Sequence, residues 1–364
     1  MSFFSKLTRK NVFLGVDIGT ASIKAVEVMY NNQKTYLTNY GSVTLREIGM
    51  DAFSAPSISK AISALLGEMQ VKANRVYVSL PSSNGLVALL EFPVMTSKEL
   101  EQAIQFEAHK YIPANIEDVA LSWEIVHRSE EKSSLGFSLK KESKENKKEP
   151  LEVLLVAALK NDVALLSSHF NKAQYEIYAI ELESFSLARS LTANESKDVL
   201  IIDIGHSICN FALVSKGVVR MSRNIDVGGK GITDTIADSM NVSPAKADSL
   251  KKGKEDLFNK KEMSLTFASL DVVLGEANRM ITSYEKKHGE KKVQKIILSG
   301  GTSGMVGLRD FFEKKMGRAV ETGSPWKNLE YEEIFNPFIQ EMGNSFSVSI
   351  GLALRGVDDF RRGV

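Results

Sequence analysis

The sequence predicts an α/β fold, and three observations predict it. Val12 to Val28 reads VFLGVDIGTASIKAVEV, and Val199 to Val214 reads VLIIDIGHSICNFALV. In both, a β-branched run ends in Asp-Ile-Gly and is followed by small or polar residues and a second apolar run, which predicts a β-hairpin with glycine at its tip. The third observation is KIILSGGTSGMVG at Lys295 to Gly307, a strand that meets paired glycines before the start of a helix carrying Leu308, Phe311 and Phe312 on its buried side.

The first hairpin is suited to an anion. Glycine lets backbone N–H groups approach oxygen closely, Thr20 and Ser22 add hydroxyl donors, and Lys24 supplies a point charge. Asp17 and Asp203 would repel phosphates directly, so the task the chemistry leaves them is to hold a hydrated Mg²⁺, which needs only one or two carboxylates. Two such hairpins form a clamp for a metal–nucleotide complex. A single Asp-x-Gly turn also closes ordinary hairpins; the recurrence is what favours the phosphate reading. In the third element, Gly300 and Gly301 let a flat ring approach the backbone and a helix N-terminus favours anions, although a packing turn needs the same glycines.

Composition narrows the function classes. The chain has 364 residues, 43% apolar and 25% charged, enough for more than one packed domain. A formal net charge of +1 provides no general field for nucleic acid. One cysteine, Cys209, excludes an internal disulfide framework, and five scattered histidines show no zinc spacing, so a reducing cytoplasm is expected. No apolar run has transmembrane length, and the opening MSFFSKLTRK lacks a secretory signal's apolar core, so neither export nor membrane spanning is expected. Phe3, Phe4 and Leu7 beside Lys6, Arg9 and Lys10 suit either a frayed terminus or a weak touch on an anionic bilayer.

The elements follow in order. After the first hairpin come a helix at Ser57 to Met69 and a strand at Arg75 to Leu80. LVALLEFPV predicts a further strand, and Thr96 with Glu99 makes a capping box that opens a helix stopped by Pro113. Leu100, Ala103, Ile104, Ala108 and Tyr111 share one face of that helix, which makes them core. Trp123 lies in the next strand. Residues 128–150 are rich in lysine and glutamate and cannot bury a core, which predicts a mobile loop or a binding arm. EVLLVAAL, a helix at Asn161 to Ala173 and a strand at Tyr175 to Ile180 form a β-α-β pattern. Helix ESFSLARSL leads into the second hairpin, followed by helices at Lys230 to Asn241, Pro244 to Lys254 and Ser264 to His288. Most of the lysines there, at 251, 252, 254, 260, 261, 286, 287, 291 and 292, are expected to lie on solvated faces.

The ordered set DIGTASIK, DIGHSICN and LSGGTSG resembles the phosphate-one, phosphate-two and adenosine motifs of the actin, Hsp70 and sugar-kinase superfamily. Within it, EFPVMTSKELEQAIQFEAHKYIP, IELESFSLARSL, RNIDVGGKGITDTIA, AKADSLKKG and IGLALRGV resemble the PilM family of type IV pilus assembly proteins over nearly the full length. The resemblance implies an actin-like, ribonuclease H-like two-lobed ATPase fold with an inserted 1C subdomain of the type in FtsA. The implied division is 1–76 for subdomain 1A, 77–178 for 1C, 179–198 for the connecting helix and 199–225 for 2A. It continues with 226–293 for 2B, 294–340 for 2A again and 341–364 for a helix returning to 1A.

The resemblance further implies ATP or ADP with Mg²⁺ in a central cleft. Asp17, Gly19, Thr20, Ala21, Ser22 and Lys24 would lie on one side, and Asp203, Gly205, His206, Gly228 and Gly229 on the other. Asp248 and Lys251 would contact the nucleoside, and Gly300, Gly301 and Thr302 the adenosine. Asp17 and Asp203 would hold the metal through water, and Asp203 and Glu181 are the candidates for a metal-bound water. The implied partner is the N-terminal cytoplasmic peptide of a PilN-like inner-membrane protein, with a possible ring or other homo-oligomer, no nucleic acid, and membrane contact only through the partner. That places the protein in the cytoplasm at the periphery of the inner membrane.

Three positions depart from the family pattern. Cys209 replaces a threonine, Glu181 an aspartate, and Asp248 a glutamate; the first two predict slow hydrolysis or none. Two other function classes share the fold. An FtsA-like filament protein would carry a membrane-targeting helix after a linker, where this sequence reads RGVDDFRRGV. A kinase or ATPase would need a catalytic base, for which His206 is the one candidate.

Overall fold

The computed structural model describes residues 11–45, 55–112, 115–127, 150–193, 195–259, 265–289 and 292–363. The expectations for the N-terminal aromatics, Pro113, the segment 128–150 apart from its last residue, Lys260, Lys261 and Lys291 fall outside these residues. Contacts divide the chain into two compact units, one formed by Met1–Asn84 with Asp162–Val364 and the other by Gly85–Asn161.

The larger unit begins with β1 (Val12–Ile18), β2 (Ser22–Asn31) and β3 (Lys34–Thr44), an antiparallel meander. All seven residues of β1 are buried, as befits a central strand covered on both faces. Asn32 and Gln33 both take positive φ, the conformation that a two-residue hairpin turn requires. Helix α1 (Ile58–Glu68) buries Ile58, Ile62, Leu65 and Leu66 at helical spacing and leads to β4 (Arg75–Leu80), which runs parallel to β1.

The inserted unit contains β5 (Gly85–Phe92), α2 (Ser97–Ala108), β6 (Val119–His127) and β7 (Leu151–Leu159). Its strands form an antiparallel sheet in the order β5-β7-β6. Leu100, Ile104 and Ala108 of α2 close a core with Leu90, Val153 and Leu155. The capping box is present in full: Glu99 N–H donates to Thr96 Oγ1, and Thr96 N–H donates to the Glu99 carboxylate. Tyr111 departs from expectation. The helix ends at Ala108, so Tyr111 leaves the buried stripe and is 46% exposed.

Helix α3 (Lys160–Lys172) returns the chain to the larger unit, where β8 (Ile177–Leu182) pairs in parallel with β4. The expected β-α-β succession is therefore not one parallel unit: β7 belongs to the small antiparallel sheet and β8 to the first sheet. The contact boundaries of the inserted unit, Gly85 and Asn161, also fall inside the expected span 77–178, since β4 and β8 are strands of the first sheet.

After α4 (Glu183–Leu191), the arrangement of the first sheet repeats. Strands β9 (Asp198–Ile204), β10 (Cys209–Ser215) and β11 (Val218–Ile225) form a second antiparallel meander. Helices α5 (Gly229–Met240), α6 (Pro244–Lys251) and α7 (Ala268–His288) follow. Strand β12 (Val293–Ser299) is parallel to β9, and after α8 (Leu308–Met316) comes β13 (Ala319–Thr322), parallel to β12. The two sheets read β3-β2-β1-β4-β8 and β11-β10-β9-β12-β13, the same order twice. A run of turns separates Gly300 from the start of α8 at Leu308, so the paired glycines do not form a helix N-terminus as expected. Leu308 and Phe312 are fully buried.

The chain then crosses back to the first sheet. Glu330 exchanges backbone hydrogen bonds with Thr35 and Leu37 of β3, and Phe338 of α9 (Asn336–Met342) stacks on Tyr40. Helix α10 (Ser347–Arg362) packs on β1 at Gly15 and Phe13 and crosses α4 where Gly351 meets the Ser186 carbonyl. No described helix is long and apolar enough to cross a membrane.

Candidate functional site, a carboxylate-lined cleft

The duplicated sheets place duplicated chemistry at the ends of their central strands. Asp17 of β1 lies opposite Lys24 of β2, and Asp203 of β9 lies opposite Asn210 of β10. In each sheet the parallel neighbour supplies a serine. Ser79 of β4 donates its hydroxyl to Asp17 Oδ1 at 2.8 Å, and Ser299 of β12 is in register with Asp203. Both turns close in the same way: Gly19 N–H donates to the Ser22 carbonyl and Gly205 N–H to the Ile208 carbonyl, each at 3.0 Å. These two amides are spent on the turns, which leaves Thr20, Ala21 and Ser22 half-exposed at the first tip.

Both aspartates are buried. Burial pushes Asp17 above the ordinary carboxylate range, partly offset by Lys24 and Ser79. Burial also pushes Asp203 up to about 6, with Ser299 opposing the shift and the charge of Asp17 adding to it. Such carboxylates carry an unmet demand for positive charge. No group of three or more His, Cys, Asp or Glu among the described residues is placed to hold an ion. The donor set therefore fits a cation that keeps most of its waters and takes one or two carboxylates.

Glu183, which the sequence reading did not select, is the third carboxylate of this cleft. Its Oε2 accepts from Ser82 N–H and from Asn210 Nδ2, both at 3.0 Å. Burial, and then the charge of Asp17, raise it well above its usual range, with Asp203 adding to the shift. Glu181, the residue that was selected, is elsewhere. Its carboxylate binds Arg189 at 2.6 and 3.1 Å, Arg355 at 3.1 Å and Ser186 Oγ at 2.5 Å. Although burial opposes ionisation, Arg189 and then Arg355 hold it below the ordinary range. A carboxylate occupied by two guanidinium groups has no lone pairs left for a metal-bound water. The Cys209 thiol is fully buried in the apolar core of the second sheet, and burial, with the charge of Asp203 adding to it, pushes its pKa up.

The remaining candidates gather around the second hairpin tip. Gly229 and Lys230 N–H groups donate to the carbonyls of Gly205 and His206. A Cβ on Gly228 would lie 2.6 Å from the His206 carbonyl, and one on Gly229 would lie 2.3 Å from Thr302 Oγ1. Gly228 and Gly229 are thus needed for close docking of the α5 N-terminus. Lys251 is buried, donating to the Gly229 carbonyl at 3.0 Å and to Thr233 Oγ1 at 2.7 Å, with Asp248 at 3.2 Å. Against its partial burial, Lys252 and Lys251 hold Asp248 down to about 2. Lys251 therefore braces α5 against α6. Gly300, at φ +86°, packs on the Ile204 backbone, while Gly301 is exposed with only Ser345 near a notional Cβ, at 3.9 Å. His206 is exposed at the tip.

The sequence pattern of the family described as type IV pilus assembly protein PilM matches residues 15–357. Among solved structures, the chain is similar to one titled PilM-PilN type IV pilus biogenesis complex, at 24% identity and a TM-score of 0.75, covering 94% of this chain and 98% of that one. It is also similar to the ethanolamine utilization protein EutJ from Carboxydothermus hydrogenoformans, at 13% identity, TM-score 0.52, and 94% and 89% coverage. MreB5 of Spiroplasma citri bound to ADP matches at 14% identity, TM-score 0.51, and 98% and 100% coverage. The fold is actin-like.

Proposed function

The chain belongs to the PilM family of type IV pilus assembly proteins, and from that membership we propose that it is the cytoplasmic, actin-like nucleotide-binding component of a pilus inner-membrane platform. It binds the N-terminal cytoplasmic peptide of a PilN-like membrane protein and reaches the membrane through that partner. The observation that carries the proposal is the continuity of the family match over residues 15–357, which takes in both Asp-Ile-Gly hairpins and the whole inserted unit.

The cleft supports ATP or ADP with Mg²⁺ as the ligand. Asp17 and Asp203 would hold the hydrated ion, Lys24 and the Thr20–Ser22 tip would face phosphate, and Gly301 leaves room for a flat ring. When bound, the ion neutralises phosphate charge and orients the polyphosphate. The protein's own residues bury the carboxylates and fix their spacing through Ser79, Ser299 and Asn210.

The partner is tested by fluorescence anisotropy, using the labelled N-terminal peptide of the neighbouring PilN-like protein and a scrambled control. Saturable binding of the native peptide alone is expected. No saturation up to about 1 mM, where binding is worth only about 4 kcal/mol, would sink the partner assignment.

A further inference from the structure

A line of polar contacts leaves the cleft at Glu183 and ends where the chain enters and leaves the inserted unit. Asn210, opposite Asp203, donates to Glu183 Oε2, and the same oxygen accepts from Ser82 N–H. Ser82 opens the single helical turn Ser82–Asn84 that follows β4. Asn84 is the last residue before the inserted unit, and its Nδ2 donates to Oδ2 of Asp162, the first residue after it, at 3.0 Å. Within a handful of residues, both crossings are thus tied to each other and to a carboxylate that feels the charge of both aspartates.

We propose that Glu183, Ser82 and the Asn84–Asp162 pair form a relay by which filling of the aspartate cleft tightens the two chain crossings of the inserted unit. The relay rests on the nucleotide reading of the cleft. A relay needs an element with two arrangements, and the surroundings of Glu183 supply one. Two buried atoms beside it, Ser184 Oγ and Asn210 Oδ1, have no hydrogen-bond partner, so the network seen here leaves polar groups unmet that another arrangement would satisfy. Glu183 also sits in the repulsive field of Asp17 and Asp203. A cation at the aspartates cancels that repulsion and lets Glu183 hold Ser82 N–H more firmly, which stiffens the turn and, through Asn84, the returning chain at Asp162. The inserted unit thereby senses the cleft through its own attachments.

Hydrogen exchange of the full chain, read in peptides covering the start of β5 and the start of α3, tests the relay with and without saturating Mg-ATP. Wild-type protein is expected to show slowing of about fivefold or more at both crossings, the low end of ordinary coupling between sites. Asn84→Ala, which lies outside the cleft, should bind ATP with unchanged affinity by calorimetry and keep its melting temperature, but lose the slowing. At a pH of about 9, above the value of about 8 to which Glu183 is raised, the wild-type carboxyl is charged; there Glu183→Gln removes the repelled charge while keeping an acceptor, so its crossings should exchange more slowly than those of nucleotide-free wild type. That arm needs no ATP, and it separates failure of the relay from failure of the nucleotide reading. Slowing retained in Asn84→Ala, or exchange in nucleotide-free Glu183→Gln as fast as in nucleotide-free wild type at that pH, overturns the relay; wild-type protein that binds no ATP overturns the nucleotide reading.

Discussion

Glu181 lies one residue before the end of β8, and Glu183 opens α4. Strand parity would put both carboxylates on one face, but the chain turns from strand to helix at Leu182, and the two part company. Glu181 enters a buried ion-pair network with Arg189 and Arg355, while Glu183 enters the cleft. Their contributions to stability have opposite signs. Glu181 titrates below its unfolded value, so it stabilises the fold above the ordinary carboxylate range and loses that effect as pH falls through its lowered folded value. Glu183 titrates above its unfolded value, so the folded state holds the extra proton, and stability declines as pH rises from the ordinary range through the raised one. Glu181→Ala is expected to cost about 1.5–3 kcal/mol, because it removes the buried carboxylate that Arg189 and Arg355 share and leaves them Asp358 and Asp359, at 3.4 and 3.8 Å. Glu183→Gln should be neutral or stabilising at pH 7.5 and should flatten the decline in stability towards alkaline pH. Urea denaturation from about pH 5 to about pH 9 checks both, since Glu181 keeps its full contribution over that range and the Glu183 linkage falls within it. A Glu183→Gln loss comparable to that of Glu181→Ala would contradict the assignment.

At the scale of elements, the periodicities located most strands and helices, since alternation and helical spacing report which faces are buried. Both hairpins, α1, β4 and the capping box of α2 could be read from residues alone. Periodicity does not report which sheet a strand joins. The pattern of β7, α3 and β8 therefore looked like one parallel unit when it bridges two sheets. Lys251 was expected at a nucleoside, and its role as a brace was not legible, because its partners Gly229 and Thr233 lie on another helix. The crossing of α4 and α10 was equally hidden. There a Cβ on Gly351 would fall 2.0 Å from the Ser186 carbonyl oxygen and 2.5 Å from its carbon, both backbone atoms that cannot rotate away. Arg189 Nη1 also donates to the Gly351 carbonyl at 2.9 Å, so separating the helices strains the ion-pair network as well. Gly351→Ala should therefore lose about 1–3 kcal/mol through overpacking. The measurement is the urea midpoint at unchanged m-value, and an unchanged midpoint would mean the helices part freely.

At the scale of the whole molecule, two sheets of identical order bring one buried aspartate each to a shared cleft, and their crossing segments tie the sheets together. The sequence showed the repeat as two hairpins. The serines Ser79 and Ser299 that complete it were not legible, since each comes from a strand paired in parallel across a long connection. Buried, repelling carboxylates are a poor arrangement for an empty protein and a good one for a cation site. Asp17→Asn and Asp203→Asn should therefore each raise the melting temperature of the nucleotide-free protein by a few degrees at pH 7.5, because each removes a carboxylate whose charged form burial disfavours. The same substitutions should abolish most of the rise that Mg-ATP gives the wild type, a rise worth about 2.7 kcal/mol when ligand stands at 100 times its Kd. Lys24→Ala isolates the phosphate side. It should weaken Mg-ATP by about tenfold, consistent with loss of a charge-assisted bond of about 1.5–3 kcal/mol, and it should not stabilise the nucleotide-free protein, because it removes the charge that offsets Asp17. Thermal melts of the three variants with and without Mg-ATP give six numbers. If the aspartate variants melted lower than wild type when empty and kept their response to Mg-ATP, both the electrostatic account of the cleft and its use as a nucleotide site would be wrong.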